Sequence, residues 1–247
     1  MEGRGTLFLP VEIVELIVLY LPLKLRYTVA VHLRLLTVRD ACIPLLPYAS
    51  MDYASFKGEV DLLDWWKSSK LKCEWSTFAM DMASIRGHLS VLEWWKNSGL
   101  ECRYSYAMIF ASEEGHVEVL EWWKNSALEC KWNAYAMDKA SYGGHVSVLE
   151  WWKNSSLECK WSYTAMDYAS EKGHVAVLEW WKNSGLECKS SVSAMDFASD
   201  RGHVTVLEWW KNSGLECKWS EDAMYWASKR GHTHVLEWWK NSGLECK

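Results

Sequence analysis

Hydrophobic and polar positions repeat along most of this chain with a period of 29 residues. The stretch VLEWWKNSG occupies positions 91–99 and recurs unchanged at 177–185, 206–214 and 235–243. Near-copies lie at 119–127 and 148–156, and a looser one, LLDWWKSSK, at 62–70. A glycine precedes each copy, at 58, 87, 115, 144, 173, 202 and 231. A fixed period of this kind is typical of a repeat architecture.

Each period predicts two short helices joined by a glycine turn. In the fifth repeat, residues 165–172 form the first helix, with small side chains on one face, and Gly173 ends it. The second helix runs from about 175 to 184. At 100° per residue, its apolar side chains share one arc, and Glu179, Lys182 and Asn183 face away. The arc holds Val177, Leu178, Trp180 and Trp181. One tryptophan of each pair is expected to fill the seam between successive second helices, and the other to cover the groove to an adjacent helix.

The helix ends also carry local signals. Thr164 with Asp167, and Ser193 with Asp196, have the spacing of a capping box, in which a hydroxyl precedes the helix and an acid follows three residues later. The position after each second helix suits a residue with positive φ, which glycine adopts most easily. Glycine holds this position at 99, 185, 214 and 243, whereas Lys70, Ala127 and Ser156 are expected to be strained there.

One helix pair cannot bury its apolar faces alone, but stacked neighbours can. The sequence therefore predicts an all-α solenoid of about seven helix-turn-helix repeats over residues 50–247. Residues 1–49 lie outside the period and are predicted to form a helical N-terminal cap. The repeats divide at 50–78, 79–106, 107–135, 136–164, 165–193, 194–222 and 223–247.

The stretch YAMDYASEKGHVAVLEWW resembles the ankyrin repeat, whose pattern is T-P-L-H-x-A-A-x-x-G-H followed by an apolar second helix. Ala169–Ser170 and Gly173–His174 match that pattern directly, and the match recurs in all seven repeats, with Glu59 in place of the histidine in the first. The resemblance implies an ankyrin-like fold and a non-enzymatic protein-binding role. Since the period is shorter than the usual 33 residues, we expect the projecting hairpin loops to be shortened.

Residues 1–49 contain LPVEIVELIVLYLPLKL at 9–25, a strongly amphipathic helix pattern. This stretch resembles the opening of the F-box, a helical module that docks on the small adaptor of cullin-type ubiquitin ligases. The resemblance implies an adaptor-docking face made of Leu9, Pro10, Ile13 and Ile17. Two interpretations stay open: residues 1–49 only cap the first repeat, or they cap it and also dock an adaptor.

Composition and charge exclude several classes of function. The net charge of −5, with both signs mixed along the chain, lacks the basic patch of a nucleic-acid binder. No segment approaches 18 consecutive apolar residues, so no membrane span is predicted, and a cytoplasmic or nuclear location is expected. We expect no enzyme activity and no cofactor, because catalysis needs different groups converging on one point, whereas this chain places the same groups in a row.

Cysteines and histidines each keep one position in the repeat. Seven cysteines, at 73, 102, 130, 159, 188, 217 and 246, share a position, as do six histidines at 88, 116, 145, 174, 203 and 232. Equivalent residues of stacked helices lie about 10 Å apart, too far for a disulfide or a metal site. The cysteines are therefore interpreted as small buried apolar filler and the histidines as local backbone partners; no bound metal is expected.

Binding specificity is expected at positions that change from repeat to repeat. These lie just before each Gly-His pair and at the loop tips before each first helix, where ankyrin-like stacks contact their partners. Tyrosines there are good anchors for a partner. The predicted partner-binding residues are Arg86, Tyr106, Glu113, Glu114, Tyr135, Tyr142, Tyr163, Lys172, Arg201, Lys229 and Arg230.

Two functions follow from these features. The first is a substrate receptor, which holds a target on its repeats and recruits a ubiquitin ligase through residues 1–49. The second is a structural scaffold that self-associates through an uncapped last repeat, with Leu236, Trp238 and Trp239 exposed. That apolar end has two explanations: the array continues in a longer protein, or this end contacts another molecule. The contact would be two-fold or head-to-tail, and the different surface of residues 1–49 favours the two-fold form.

Overall fold

The computed structural model describes residues 50–69 and 74–244. Within these ranges the chain is all-α and contains no strand. Seven first helices are α1 Met51–Lys57, α3 Phe78–Ile85, α5 Ala107–Glu113, α7 Tyr135–Gly143, α9 Thr164–Lys172, α11 Ser193–Asp200 and α13 Asp222–Lys229. Seven second helices are α2 Val60–Ser68, α4 Leu89–Asn97, α6 Val117–Asn125, α8 Val146–Asn154, α10 Val175–Asn183, α12 Val204–Ser213 and α14 Thr233–Asn241. The predicted all-α solenoid of helix pairs is confirmed.

Two layers of helices build the core. First helices of successive repeats pack against each other in one layer, and the second helices form the other. The first helices lie closer together, because alanine and serine on their contact faces let the backbones approach. Each interior repeat buries the same apolar set, which in α9 and α10 comprises Ala165, Met166, Ala169, Val177, Leu178 and Trp181.

The glycine that ends the first helix is required for two reasons in every described repeat but the last. Gly173 has a φ of 79°, a left-handed conformation that costs other residues strain. A Cβ atom built on Gly173 would also lie 3.1 Å from the imidazole ring of His203 in the next repeat. The same close approach is made by His88 to Gly58 and by His174 to Gly144. The turn and the packing of the next repeat therefore depend on the same missing side chain.

The turn after each second helix also has the predicted conformation. Gly99, Gly185, Gly214 and Gly243 all have positive φ. Ala127 and Ser156 hold the same position with φ of 63° and 66°, which confirms the expected strain at both. Lys70 lies outside the described residues.

The predicted capping boxes are wrong. Thr164 and Ser193 are the first residues of α9 and α11 rather than their caps, and the N-cap residues Tyr163 and Val192 make no side-chain cap hydrogen bond. The carboxylate of Asp167 instead accepts hydrogen bonds from the backbone N–H and the hydroxyl of Ser191, in the loop that leads to the next first helix. The acid that the local pattern assigned to its own helix thus bonds to a loop 24 residues later.

The predictions for residues 1–49, including the adaptor-docking face of Leu9, Pro10, Ile13 and Ile17, lie outside the described residues. Among the residues described, no helix is long and apolar enough to cross a membrane.

Candidate functional site

From the second repeat onward, the second tryptophan of each pair joins its repeat to the one before. Its indole N–H donates to a serine hydroxyl on the first helix of the preceding repeat, at 2.9 to 3.0 Å. In the middle of the array, Trp181 donates to Ser141, and the Ser141 hydroxyl in turn donates to the carbonyl of Met137. Both partners are fully buried. These tryptophans are core residues, and their polar atoms are already paired.

From the second repeat onward, the first tryptophan of each pair lies at the surface of the second-helix layer. Its indole N–H donates to a carboxylate on the preceding second helix, at 2.6 to 2.8 Å. The acceptors are Asp64, Glu93, Glu121, Glu150, Glu179 and Glu208. The indole hydrogen bond, helped by an asparagine one turn further on, lowers the pKa of the five glutamates. Glu179 does face solvent as predicted, but its carboxylate accepts from Trp209.

The Gly-His histidines bond to backbone carbonyls, as predicted, but not to local ones. The Nε2 atom of His174 donates to the carbonyl of Tyr142, 32 residues earlier, at 3.1 Å. His88 and His232 make the equivalent bonds to Phe56 and Asp200. Burial lowers the pKa of His174 and His203, which favours neutral rings at neutral pH. Their bonds link adjacent repeats, which indicates a structural role.

The cysteines are half-buried beside the second helices. The thiols of Cys102, Cys130, Cys159 and Cys217 each lie 3.5 to 3.6 Å from the carbonyl of the buried tryptophan of their own repeat. Burial raises the pKa of these thiols and of Cys188, which disfavours the reactive thiolate. In the described part of the chain, no three His, Cys, Asp or Glu side chains are placed to hold a metal ion.

Buried aspartates on the first helices bind the loop that leads to the next first helix. Asp81, Asp138, Asp167 and Asp196 accept from backbone or hydroxyl groups 24 to 26 residues later. Burial is the largest influence on Asp81, Asp167 and Asp196 and raises the pKa of each. The third repeat has Ile109 in this position, and the residue that would bond to it is Asn133, which instead accepts from the backbone N–H of Tyr135. Both changes concern the two ends of the same bond, which the third repeat therefore lacks.

A row of exposed apolar side chains follows the N-terminal ends of the first helices. Five successive repeats each contribute one side chain, 44 to 59% exposed. This apolar stripe consists of Phe78, Tyr106, Tyr135, Tyr163 and Val192. Three of its members are predicted partner-binding tyrosines. Phe78 and Val192 were not among the predicted site residues, although both lie at the same variable loop tips.

The charged residues predicted to bind a partner lie at the opposite ends of the first helices. Three of them pair with an opposite charge of a neighbouring repeat that was not among the predicted residues: Glu113 with Lys139 at 2.9 Å, Arg201 with Glu171 at 2.8 Å, and Arg230 with Asp200. Tyr142 has the ammonium groups of Lys139 and Lys172 over its ring. Of the remaining predicted residues, Arg86 lies over the ring of Phe56, and Lys229 lies over the rings of Tyr225 and Trp226. Glu114 is exposed.

In the last repeat, the exposure of the apolar residues differs from the sequence prediction. Trp239 is only 2% exposed, because its ring packs against Trp219 and its N–H donates to Ser199; its predicted exposure is wrong. Leu236 is half-buried, whereas its interior counterparts are fully buried. Trp238 is also half-buried. Tyr225 and Trp226 are 55% and 37% exposed, with rings 5.0 Å apart.

No protein-family model matches this sequence, and no curated protein matches it. In structure, the chain is similar to the human ASB11 ankyrin repeat domain, which is known from a crystal structure. The two share 12% sequence identity with a TM-score of 0.51, and the match covers 69% of this chain and 86% of that domain. The repeated helix pairs and this likeness together establish that the described residues have an ankyrin-like fold.

Proposed function

We propose that this chain is a non-enzymatic protein-binding module whose partner contacts the apolar stripe. The exposure of one aromatic or aliphatic side chain in each of five successive repeats supports this proposal. Single exposed apolar residues are ordinary on a protein surface, but a contiguous row of them is typical of an interface. Tyrosines are also among the residues that contribute most to binding energy at interfaces.

The repeated scaffold suits such a surface. Aspartate carboxylates of the preceding first helices hold four of the five loop tips of the stripe, those that carry Phe78, Tyr106, Tyr163 and Val192. A partner therefore meets tyrosines on ordered backbone, which limits the entropy lost on binding. The paired charges at the opposite ends of the first helices satisfy one another, so they offer less to a partner than the stripe does.

The finer form of the proposal is a substrate receptor: the stripe holds a target, and residues 1–49 dock an adaptor of a ubiquitin ligase through Leu9, Pro10, Ile13 and Ile17. Its support is the F-box-like pattern of residues 9–25.

A pull-down from cells can separate the two binding activities. The full chain is compared with a stripe variant carrying Tyr106→Ser, Tyr135→Ser and Tyr163→Ser, and with a second variant carrying Leu9→Asp and Ile17→Asp. The stripe variant should lose the target and keep the adaptor, and the second variant should do the reverse. A matched control replaces three exposed lysines of the second helices, Lys124, Lys153 and Lys182, with serine and should keep both.

Circular dichroism of each variant shows whether the repeats remain folded. If the Leu9 and Ile17 changes unfold the array, residues 1–49 act as a cap and the ligase role loses its support. If the stripe variant captures the same proteins as the full chain, the stripe is not the binding surface.

An alternative function is self-association through the last repeat, which the exposure of Tyr225 and Trp226 and the partial exposure of Leu236 favour. Light scattering of the full chain against a Trp226→Ser, Leu236→Ser variant tests it. A dimer should form in the full chain only, whereas a monomer at high concentration excludes this function.

A further inference from the structure

One aromatic ladder runs along the loops that follow the second helices. An aromatic residue in each of five loops packs against the buried tryptophan of the next repeat, with ring centroids 4.6 to 5.8 Å apart. The pairs are Trp75 with Trp95, Tyr104 with Trp123, Trp132 with Trp152, Trp161 with Trp181, and Trp219 with Trp239. This contact therefore recurs at nearly every junction of the described array.

Three of these rings have the same two polar neighbours. A cation from the next loop lies over the ring: Arg103 over Trp75 at 5.3 Å, Lys160 over Trp132 at 5.3 Å, and Lys189 over Trp161 at 4.7 Å. The indole N–H of these three tryptophans donates to a glutamate carbonyl of the next loop at 3.0 Å. The site around the ring thus combines a cation on the ring face with an acceptor at the ring edge.

Ser190 interrupts this ladder. Position 190 stands 29 residues after Trp161 and 29 before Trp219, so it is the place of the missing ring. Lys218, which would cover that ring, instead reaches the carbonyl of Ser190 at 3.4 Å. Among the described residues, none donates a hydrogen bond to the carbonyl of Glu216, which corresponds to the acceptor carbonyls of the other loops.

A cleft of about 500 Å³ opens beside the interruption. Its walls include Ser190 and Lys218 together with the Trp161 ring and Tyr163. Tyr163 also belongs to the apolar stripe, so the cleft is continuous with the proposed partner-binding surface.

We propose that this cleft binds a tryptophan or tyrosine side chain projected by the protein partner, which takes the place of the ring missing at position 190. Lys218 supplies the cation, and Trp161 and Tyr163 form part of the wall of the cleft. The Glu216 carbonyl, which is equivalent to the acceptor carbonyls of the other loops, accepts the N–H or O–H of the incoming ring. Five junctions of the same chain hold such a ring with their own residues, which identifies the ligand chemistry. The inference rests on the proposed protein-binding function and names one anchor of the partner.

Binding of N-acetyltryptophanamide to the full chain tests the cleft without the partner. This uncharged probe carries only the indole and two amides, so a binding signal reports the ring and not a carboxylate. Backbone NMR shifts should saturate with probe concentration and centre on Ser190 and Lys218. Shifts that spread over the surface, or that centre elsewhere, overturn the proposal.

Two substitutions at one position sharpen the test. Ser190→Trp should restore the ladder, raise the melting temperature and abolish the probe shifts at Lys218, whereas Ser190→Ala keeps the cleft open and should leave them unchanged. If Ser190→Trp fails to fold, Ser190→Tyr provides the same filled state, since Tyr104 already holds the equivalent position in another loop. Probe binding that survives a folded, filled variant overturns the proposal.

A gain of binding gives an independent check. Trp132→Ser opens an equivalent gap beside Lys160 and should create a second set of saturable shifts there; their absence in a folded variant contradicts the stated ligand chemistry. If the stripe variant keeps its target and the probe still binds at Ser190, the stripe is not the partner surface, but the cleft is still a binding site.

Discussion

The two tryptophans of each pair are neighbours in sequence but lie in different regions of the molecule. Trp181 is fully buried between the layers and donates to the neutral hydroxyl of Ser141 at 3.0 Å. Trp180 lies at the outer surface and donates to the carboxylate of Glu150 at 2.8 Å. The two rings meet edge to face with centroids 5.0 Å apart.

This difference separates two ways of joining repeats. The buried ring contributes packing area and needs one paired polar atom, since an unpaired N–H in the core is costly. The outer ring and its carboxylate make a charge-assisted bond in contact with water, where ionic interactions are weak. We therefore expect the buried layer to determine the stability of the stack and the outer layer to adjust it slightly.

Removal of the two rings in turn should give the largest contrast. Trp181→Ala should lower the free energy of unfolding by about 3 to 5 kcal/mol through the cavity it leaves. Trp180→Ala should cost about 1 to 2 kcal/mol, since part of its ring already contacts water. Guanidinium denaturation followed by circular dichroism measures both. Equal losses would contradict the division between the layers.

Loss of the hydrogen bond between Trp181 and Ser141 should have an intermediate effect on the free energy of unfolding. Ser141→Ala leaves the Trp181 N–H without its acceptor and should cost about 1 to 3 kcal/mol. Ser228 provides a matched control in the last repeat, because it is exposed and no tryptophan of the described chain donates to its hydroxyl. Ser228→Ala should change the free energy of unfolding little. A similar loss in both variants would show that the Trp–Ser bond does not matter.

Trp180→Phe keeps an aromatic ring but removes the indole N–H that donates to Glu150, and so isolates the contribution of that hydrogen bond. The stability loss should be less than about 1 kcal/mol. Because the indole hydrogen bond lowers the pKa of Glu150 below its ordinary 4.5, it stabilises the fold above that pH, and the stabilisation is lost as the pH falls through the lowered pKa. In the variant, the Glu150 pKa should rise toward 4.5.

Side-chain carbon NMR titration measures this pKa, and Glu121, which accepts from Trp151, serves as the internal reference. If the Glu150 pKa does not move in the variant, the indole bond is not formed in solution.

The smallest expected effect on stability concerns the turn that follows each second helix. Ala127→Gly should relieve the strain of a φ of 63° and stabilise by up to about 1 kcal/mol, less the extra chain entropy of glycine when unfolded. Gly99→Ala is the reverse change at an equivalent site with a φ of 74°, where a Cβ meets no atom within 4 Å. It should destabilise by a similar amount. Thermal melting curves of both variants test the pair, and a destabilised Ala127→Gly variant would contradict the prediction.

The order of these effects also shows how much the sequence reveals. The period, the apolar arc of Val177, Leu178 and Trp181, and the glycine turns predict the helices to within a residue or so, because each depends on short-range geometry. The variable tyrosines before the first helices could be found in the same way. The gap at Ser190 was also visible, as one non-aromatic residue in a column of aromatic ones, although its significance depends on the contacts of the others.

What the sequence by itself determined is the repeat: two helices, a left-handed turn and a face that needs a neighbour. Which atoms of neighbouring repeats meet was decided by the tertiary structure. Asp167 matched a capping box but bonds to Ser191, 24 residues later, His174 reaches a carbonyl 32 residues earlier, and Trp239 is covered although its repeat is the last one described. A local sequence pattern determines which residues share one face of a helix. These bonds depend instead on the offset between stacked helices, which only their packing determines.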